Sequence, residues 1–463
     1  MKVVVCVRQS VSGELNPFDA CAYEAALRSP DAEVTLLSMG PEKARDFRLN
    51  LTRLGAARAV HLCDRAFAGA DTLATAYTLS LAVARLAPDL ILCGRQTVDG
   101  DTGQVGPELS VMAGYSLVTG VMQLDAGEDG VMTVSRDGRR VTTPYPALLT
   151  VERIHNLRLP SIRSRVSEVV VWDALTLGAD VSRTGLGGSP TRVVKTFEND
   201  QDRRRCTFIE PDELPKIIKR SLEQSSRCPC AQGEVRHGGG LGHVVTVGEE
   251  PMAMARSISD HITVIDMDTP ERLVERIRAE DPDAVLWASD PVSKERAPQV
   301  AAMLQLGLCA DCTLLETEGD QLMMYRPAFS GNIIAKIRST TRPAMATVRT
   351  PQSDRSPITV GVGMGAVAHL NAVRAWAQGL GADLAATRLT VDHDHMPYER
   401  QVGLTGKSIS PDVYIALGIS GAVHHIAGIR CSGTIIAVNE DKDAPIFDYA
   451  DYGIVADVSE ILK

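Results

Sequence analysis

Hydrophobic residues in this chain come in short unbroken runs, separated by longer stretches in which they recur every three or four positions. The runs KVVVCV (2–7), EVTLLSM (33–39), AVHLC (59–63) and LILCG (90–94) have strand length, and continuous apolar character marks strands covered on both faces. Between them, DACAYEAALRS (19–29) and PEKARDFRLNLTRLG (41–55) carry amphipathic helical patterns. This alternation predicts a parallel sheet packed between helices. It fades after about residue 225, where SSRCPCAQGEVRHGGGLG (225–242) is rich in Gly, Ser and Cys and reads as a linker. A second run opens with HVVTVG (243–248), ITVIDM (262–267), the helix TPERLVERIRAE (269–280) and the strand DAVLWAS (283–289). A third follows from ITVGVGMG (358–365) through VYIALGIS (413–420) to TIIAVN (434–439). The expected class is α/β with three parallel-sheet units, and ligand sites are expected at the carboxyl ends of strands and where units meet.

Composition narrows the partners. At 463 residues, 44% hydrophobic and 23% charged, the chain is long enough for two to four domains of an ordinary soluble protein. The net charge of −10, from 48 basic and 58 acidic residues, speaks against nucleic acid. Short basic clusters such as RDGRR and DRRRC are mixed with acids and read as solvated loops. MKVVVCVRQS is too short an apolar run for a signal peptide. LATAYTLSLAVARLAPDLILC (73–93) is interrupted by Arg85, Pro88 and Asp89, so it reads as helix then strand, and a cytoplasmic location is expected. The ten cysteines suit a reducing compartment. Cys309 and Cys312 have C-x-x-C spacing without a second pair, so packing is expected over zinc or redox work, and Cys228 and Cys230 fall in the linker.

The stretch VYIALGISGAVHHIAGI (413–429) carries the most chemistry. A strand ending in Gly418, Ser420 and Gly421 and feeding a helix lets backbone approach an anion, with free N–H groups at the helix start. A ligand-free strand-to-helix turn has the same sequence pattern. His424 and His425 are helix neighbours pointing about 100° apart, so they cannot share a metal, though either is a candidate cation near neutral pH. No nucleophile elbow or acid–base pair supports a hydrolase.

Longer motifs bring a family resemblance. NPFD (16–19), LLSMGP (36–41), DRAFAGADTLATAY (64–77), GRQTVDGDTGQVGPEL (94–109) and GSPTRVVK (188–195) resemble the β subunit of electron-transfer flavoproteins. LGLCADCT, YRPAFSGNI (325–333), RPAMATVR (342–349), RQVGLTGKSISPDVYIALGISGAVHH (400–425) and DAPIFDYADYGIVAD (443–457) resemble the α subunit. The chain looks like a β-type subunit fused ahead of an α-type one. The resemblance implies three Rossmann-like units: a β-like nucleotide-binding domain over 1–225, a linker over 226–241, a shortened α-type N-terminal domain over 242–350 and a C-terminal FAD-binding domain over 351–463.

The resemblance also implies function and site. Electrons would pass from a flavin dehydrogenase of the acyl-CoA dehydrogenase type, as in fatty acid β-oxidation, through bound FAD to a quinone oxidoreductase, ferredoxin or flavodoxin. Electron bifurcation driven by NADH is a further option. By matching motifs, Arg388 would lie against the flavin ring, Thr405 would reach N5, and His425 would stand as a cation near N1 and the C2 carbonyl. Thr387, Gln401, Val402, Gly403, Ser420, Gly421, Ala422, Asn439 and Asp457 match further FAD contacts. Met364 replaces an expected arginine, Leu404 a glutamine of some members, and His424 a common glutamine. In the N-terminal half, Cys6, Asn16, Met39 and the loop Thr97, Asp99, Gly100, Asp101, Thr102, Gly103 and Gln104 match a second nucleotide pocket. FAD is favoured there over AMP, with Gly100 and Gly103 leaving backbone N–H groups for phosphate. Residues 156–172 match a partner-recognition segment in which Arg163, Arg165 and Val166 combine charge and apolar contact. A protein of another class, a flavin-free adenine-nucleotide-binding regulator, could use the same sheets.

Overall fold

The structure, a computed structural model, describes residues 1–135, 138–152, 156–198, 204–224, 240–329, 333–349, 356–403, 406–407 and 409–462. Packing divides the chain into two compact units. One comprises Met1–Thr196, Arg236–Phe329 and Ala335–Arg349, and the other Phe197–Val235, Ser330–Ile334 and Thr350–Lys463, counting described residues only.

The first unit is built on two sheets of the expected kind. In the nine-stranded sheet, strand Lys2–Cys6 lies between Leu90–Gly94 and Glu33–Met39, all parallel, with Arg58–Leu62 and Glu168–Trp172 beyond the latter. The chain therefore runs outward from Lys2–Cys6 on one side and returns to its other side with Leu90–Gly94. That reversal leaves a crevice at the carboxyl ends of those two strands. Helix Pro17–Arg28 packs Cys21, Ala22, Tyr23, Ala25 and Ala26 on one face of the sheet, and helix Thr72–Leu86 packs Ala76, Leu79, Ala82 and Val83 on the other. Beyond Leu90–Gly94 the pattern changes. Ser116–Ala126 pairs antiparallel with Gly130–Ser135, which pairs antiparallel with Arg140–Pro144. These strands alternate buried and exposed positions, the signature of one-sided burial, and the sequence reading in terms of parallel units had no place for them.

The five-stranded sheet repeats the reversal. Val244–Val247 is flanked by Ile262–Ile265 and Ala284–Ala288, all parallel. Cys309 and Cys312 are buried in this sheet's core beside Leu286, Ala346 and Met324.

In the second unit a six-stranded sheet, parallel throughout, has Ile358–Val362 between Ala-rich Asp383–Ala386 and Val413–Leu417, followed by Thr434–Asn439, Tyr452–Val455 and Thr207–Phe208. Its central strands Ile358–Val362 and Val413–Leu417 are buried along their whole length. Residues assigned from the sequence to the end of the first domain belong here by packing: Leu214 and Ile218 of helix Leu214–Glu223 join the core of Val360, Ile415 and Ile436. An amphipathic pattern along the chain does not say which sheet a helix covers. The linker segment 225–239, with Cys228 and Cys230, lies outside the described residues. Among the described residues no helix is long and apolar enough to cross a membrane.

Candidate functional site

The C-terminal candidates gather at the carboxyl edge of the six-stranded sheet. The decisive local feature is a pair of glycine turns at the reversal between Ile358–Val362 and Val413–Leu417. Gly363 N–H donates to Leu417 O at 2.9 Å, and Gly365 N–H to Gly418 O at 3.2 Å. A Cβ on Gly418 would stand 2.6 Å from Ala366 N, and its φ of +58° is itself unfavourable for other residues. The GVGMG and GISG motifs thus pack backbone on backbone. After this contact the chain presents an exposed Ser420, then Gly421 at φ +91° and Ala422 as the cap of helix Val423–Ile429. Among the described residues the amides of Ser420, Gly421 and Ala422 donate to no backbone carbonyl, while Ser420 O accepts from Ile446 N–H at 3.0 Å. Three uncommitted donors on a turn anchored through its carbonyl suit a phosphate.

Neighbouring candidates are tied to this turn. Thr387 caps helix Arg388–Asp392, its N–H donating to Val362 O at 3.0 Å. Val402 N–H donates to Ala386 O at 2.9 Å, bringing buried Gln401 and Val402 alongside that strand. Gly403, at φ +134°, lies under the helix, where a Cβ would meet His424 O at 2.6 Å. Asn439 Nδ2 donates to Ile419 O at 3.0 Å, and its Oδ1 accepts from Asp441 N–H at 3.0 Å. Asp457, beyond the end of Tyr452–Val455, caps a helix by accepting from Ser459 N–H at 2.7 Å, and the Ser459 hydroxyl together with that N–H holds its carboxyl below the usual range. Arg388 is exposed and pairs with Asp392 at 3.4 Å. Thr405 and Leu404 lie outside the described residues.

His425 differs from its expected role as a cation. It is buried, with Nδ1 3.1 Å from Val402 O and Nε2 2.9 Å from Tyr414 Oη. A carbonyl accepts only, so Nδ1 carries the proton and Nε2 accepts from the tyrosine hydroxyl. Burial lowers its pKa to about 4, and the ring is neutral at pH 7. Tyr414, which sequence reasoning passed over as a strand residue, locks this tautomer. The exposed neighbour is His424.

The N-terminal candidates meet at the crevice of the nine-stranded sheet. Cys6 and Cys93 are register partners at the ends of adjacent strands, and Met39 ends the next strand. Asn16 is almost wholly buried and joins this crevice to the loop: Nδ2 donates to Gln96 O and Asp19 Oδ1, both at 2.9 Å, and Oδ1 accepts from Val98 N–H at 3.3 Å. Asp99 is buried, accepts from Val11 N–H at 3.3 Å and faces Arg8 at 3.8 Å. Asp101, at φ +53°, accepts from Gln96 Nε2. Burial and the nearby charge of Asp311 raise its pKa.

The loop distributes its amides differently from expectation. Gly100 N–H turns to Thr97 Oγ1 at 3.3 Å, and Asp101 N–H to Thr97 O at 2.8 Å. Among the described residues the amides of Thr102, Gly103 and Gln104 donate to no backbone carbonyl. They open helix Val105–Ala113, so the anion-ready part of the loop is its second half. Gln104 is buried, with Oε1 accepting from Thr72 Oγ1 at 3.0 Å and Nε2 donating to Leu308 O at 3.2 Å.

Two residues here escaped the sequence reading. Asp19 is buried in the first turn of its helix, with Oδ2 accepting from Arg8 N–H at 2.8 Å, and burial pushes its carboxyl up to about 7. Its place in NPFD was the available signal. Arg326, in YRPAF, donates to Asp101 O at 3.1 Å, and nothing in sequence spacing joins residues 225 positions apart.

In the segment 156–172, Leu159 and Ile162 are 89% and 100% exposed, and Arg163, Arg165 and Val166 are also exposed. Its base is pinned by Arg158, whose Nε and Nη2 each lie 2.9 Å from the buried Glu24 carboxylate. The paired guanidinium groups of Arg158 and Arg28 overcome burial and hold that carboxyl at about 2.

Comparison with known proteins accounts for this arrangement. Residues 3–176 and 259–366 match the electron transfer flavoprotein domain, and residues 353–430 match the electron transfer flavoprotein FAD-binding domain. The chain belongs to the electron transfer flavoprotein family. The electron transfer flavoprotein β subunit of Megasphaera elsdenii is 37% identical over 238 residues, 47% of this chain and 88% of that protein. The α subunit of Thermoanaerobacterium thermosaccharolyticum is 34% identical over 227 residues, 39% of this chain and 69% of that protein. A third relative, the subunit LctC of a lactate dehydrogenase (NAD(+),ferredoxin) from Acetobacterium woodii, is 34% identical over 237 residues, 42% of this chain and 56% of that protein. β-type and α-type flavoprotein sequences are therefore fused in one chain, with the glycine-turn edge of the six-stranded sheet in its FAD-binding domain.

Proposed function

We propose that this fused electron transfer flavoprotein takes electrons from a flavin dehydrogenase of the acyl-CoA dehydrogenase type and delivers them to a separate acceptor, through FAD held at the Ser420–Ala422 turn. The observation that carries the assignment of the turn is its set of three amides without described backbone acceptors, on a turn held in place by interlocked glycines and by the Ser420 carbonyl. Bound FAD supplies the one- and two-electron chemistry. The protein's own share is position and charge. Ser420, Gly421 and Ala422 would hold phosphate oxygens, Asn439 and Asp457 would take polar groups of the adenosine half, and Arg388 would offer a positive charge to a reduced ring. Burial keeps His425 neutral while Tyr414 and Val402 fix its tautomer, so it contributes a fixed dipole and not a charge.

The second nucleotide belongs in the crevice between Lys2–Cys6 and Leu90–Gly94, with its phosphates on Thr102, Gly103 and Gln104. FAD is favoured over AMP because VDGDTGQVGP resembles the bifurcating members, and the name of the Acetobacterium woodii relative pairs NAD(+) with ferredoxin. NADH-driven bifurcation to ferredoxin or flavodoxin is the second reading on that basis. The exposed Met364 at the GVGMG turn, in place of an arginine, favours the plain carrier.

Denaturing the purified protein and quantifying the released nucleotides tests both assignments. Two FAD per chain is expected. One FAD with one AMP would overturn the N-terminal assignment, and a colourless protein that takes up no FAD would replace the carrier with a nucleotide-binding regulator. Anaerobic mixing with NADH separates the two carriers: bleaching of the flavin spectrum supports bifurcation, and an unchanged spectrum leaves a plain carrier.

A further inference from the structure

The first unit carries a cleft of about 240 Å³ whose lining includes none of the residues proposed to hold a nucleotide. Its walls come from helix Thr72–Leu86, the GLGGSPTR segment and residues 305 and 340–341. Two arginines, Arg183 and Arg192, line it, together with hydroxyl-bearing Ser182, Ser189, Thr340 and Thr341, and no aspartate or glutamate does. In a chain of net charge −10 this is an unusual local balance.

The two guanidinium groups are held differently. Arg183 is pre-positioned: its Cζ sits 4.1 Å from the centroid of the Tyr77 ring, and Nη2 donates to Gln305 Oε1 at 2.9 Å. Arg192 is half-buried, and its Nη1 is shut away from solvent with no partner among the described residues. The carboxylate bound to the adjacent Thr191 is committed to other donors. Asp71 accepts from Ala74 N–H at 3.0 Å, from Thr191 N–H at 2.9 Å and from Thr191 Oγ1 at 2.7 Å. A partly buried cation without a counter-charge is costly, and an anion entering the cleft would remove much of that cost.

We propose that this cleft is an anion site for a phosphate-class ligand, either inorganic phosphate or a small phosphate monoester, with Arg192 and Arg183 as its cationic walls. Guanidinium forks match tetrahedral oxyanions, and two of them favour a multiply charged ligand over chloride. The volume is below the roughly 300–1,000 Å³ usual for cofactor and drug-sized sites, which excludes a dinucleotide. The cleft's lining residues differ from those proposed to hold the nucleotides, and its assignment does not depend on theirs.

Isothermal titration calorimetry on the full chain with its nucleotides bound tests this at constant ionic strength, with chloride as the balancing anion. Inorganic phosphate and glycerol 3-phosphate are titrated in parallel. Saturable one-site binding of at least one is expected, and the tighter of the two identifies the source. Arg192→Gln should weaken binding by tenfold or more, Arg183→Gln by severalfold, and Arg192→Lys should retain part of the affinity, all with flavin absorbance unchanged. No saturable heat with either anion, or wild-type affinity in both glutamine variants, overturns the proposal. Should Arg192→Gln fail to fold, the exposed Arg183→Gln decides alone, and unchanged affinity there overturns it.

Discussion

The two sheet reversals proposed to hold nucleotides, one in each unit, share a topology and differ in their materials. In the C-terminal FAD-binding domain the edge is made of backbone: Gly363, Gly365 and Gly418 interlock, and the donors left over are main-chain amides. In the N-terminal crevice it is made of side chains, with buried Asn16, Asp19, Asp99 and Gln104 cross-linking loop and strands. A parallel sheet with a reversal supplies the location of a site, and how the site is lined is settled separately. The backbone edge is intolerant of an added side chain, whereas the side-chain edge is closed at Gly94, where a Cβ would run into Asp19 Oδ1, but has room at the loop residue Gly100, and it is sensitive to ionisation.

The largest expected effect breaks the backbone edge. Gly418→Val combines φ +58° with a Cβ 2.6 Å from both Ala366 N and Gly365 C, and should cost about 3–5 kcal/mol and release the C-terminal flavin. Gly100→Ala is its counterpart, since its Cβ would meet only Thr97 Oγ1 at 3.3 Å. It should cost under about 1 kcal/mol and leave nucleotide content unchanged. Urea unfolding followed by flavin fluorescence measures both. Equal losses in the two variants would erase the distinction.

Ionisation should separate the units by sign. His425 has a folded pKa of about 4 against roughly 6.5 unfolded. Its neutral form is the folded form, so its contribution is present above the unfolded value and is lost as pH falls from there towards 4. The full difference is on the order of 3 kcal/mol. Asp19 runs the other way. With a folded pKa of about 7 against an ordinary value of 3.8, it contributes stability that is present below 3.8 and lost as pH rises through 7, by a few kcal/mol. Unfolding free energies of His425→Phe and Asp19→Asn, compared with the parent across pH 4–8, should show opposite changes in slope. Slopes that change in the same direction would contradict the assigned protonation states.

A smaller effect concerns tuning. Arg388→Ala should lower the reduction potential of the C-terminal flavin by a few tens of millivolts, because an exposed charge a few ångströms away is worth about 1 kcal/mol. His425→Gln removes no charge, so the potential difference between it and the parent should not vary between pH 6 and 8. Potentiometric titration checks both. A pH-dependent difference in the histidine variant would restore its cationic role.

Much of this molecule was readable along the chain because parallel strands buried on both faces appear as unbroken apolar runs. LILCG, VYIALGIS and TIIAVN each became a strand with candidate site residues at or just beyond the carboxyl end. The turn GISGAVHH could be identified as anion-ready since glycine spacing acts locally. The antiparallel strands between Ser116 and Pro144 were less legible: half-buried strands need a partner before their alternation has meaning. Helix Leu214–Glu223 fell in the stretch assigned to the first domain, because an amphipathic face does not say which core it completes.

The sequence by itself determined the buried parallel strands, the glycine turns and, through long co-occurring motifs, the family. Tertiary structure decided what short-range pattern cannot encode. Burial between Tyr414 and Val402 made His425 neutral, burial behind Asn16 raised Asp19, and Thr97 took up the Gly100 amide, leaving the second half of its loop for an anion. Each of these depends on desolvation or on a hydrogen-bond partner supplied by packing. A residue's type sets its possible charges and donors, and the fold selects among them by fixing which neighbours and how much water it keeps.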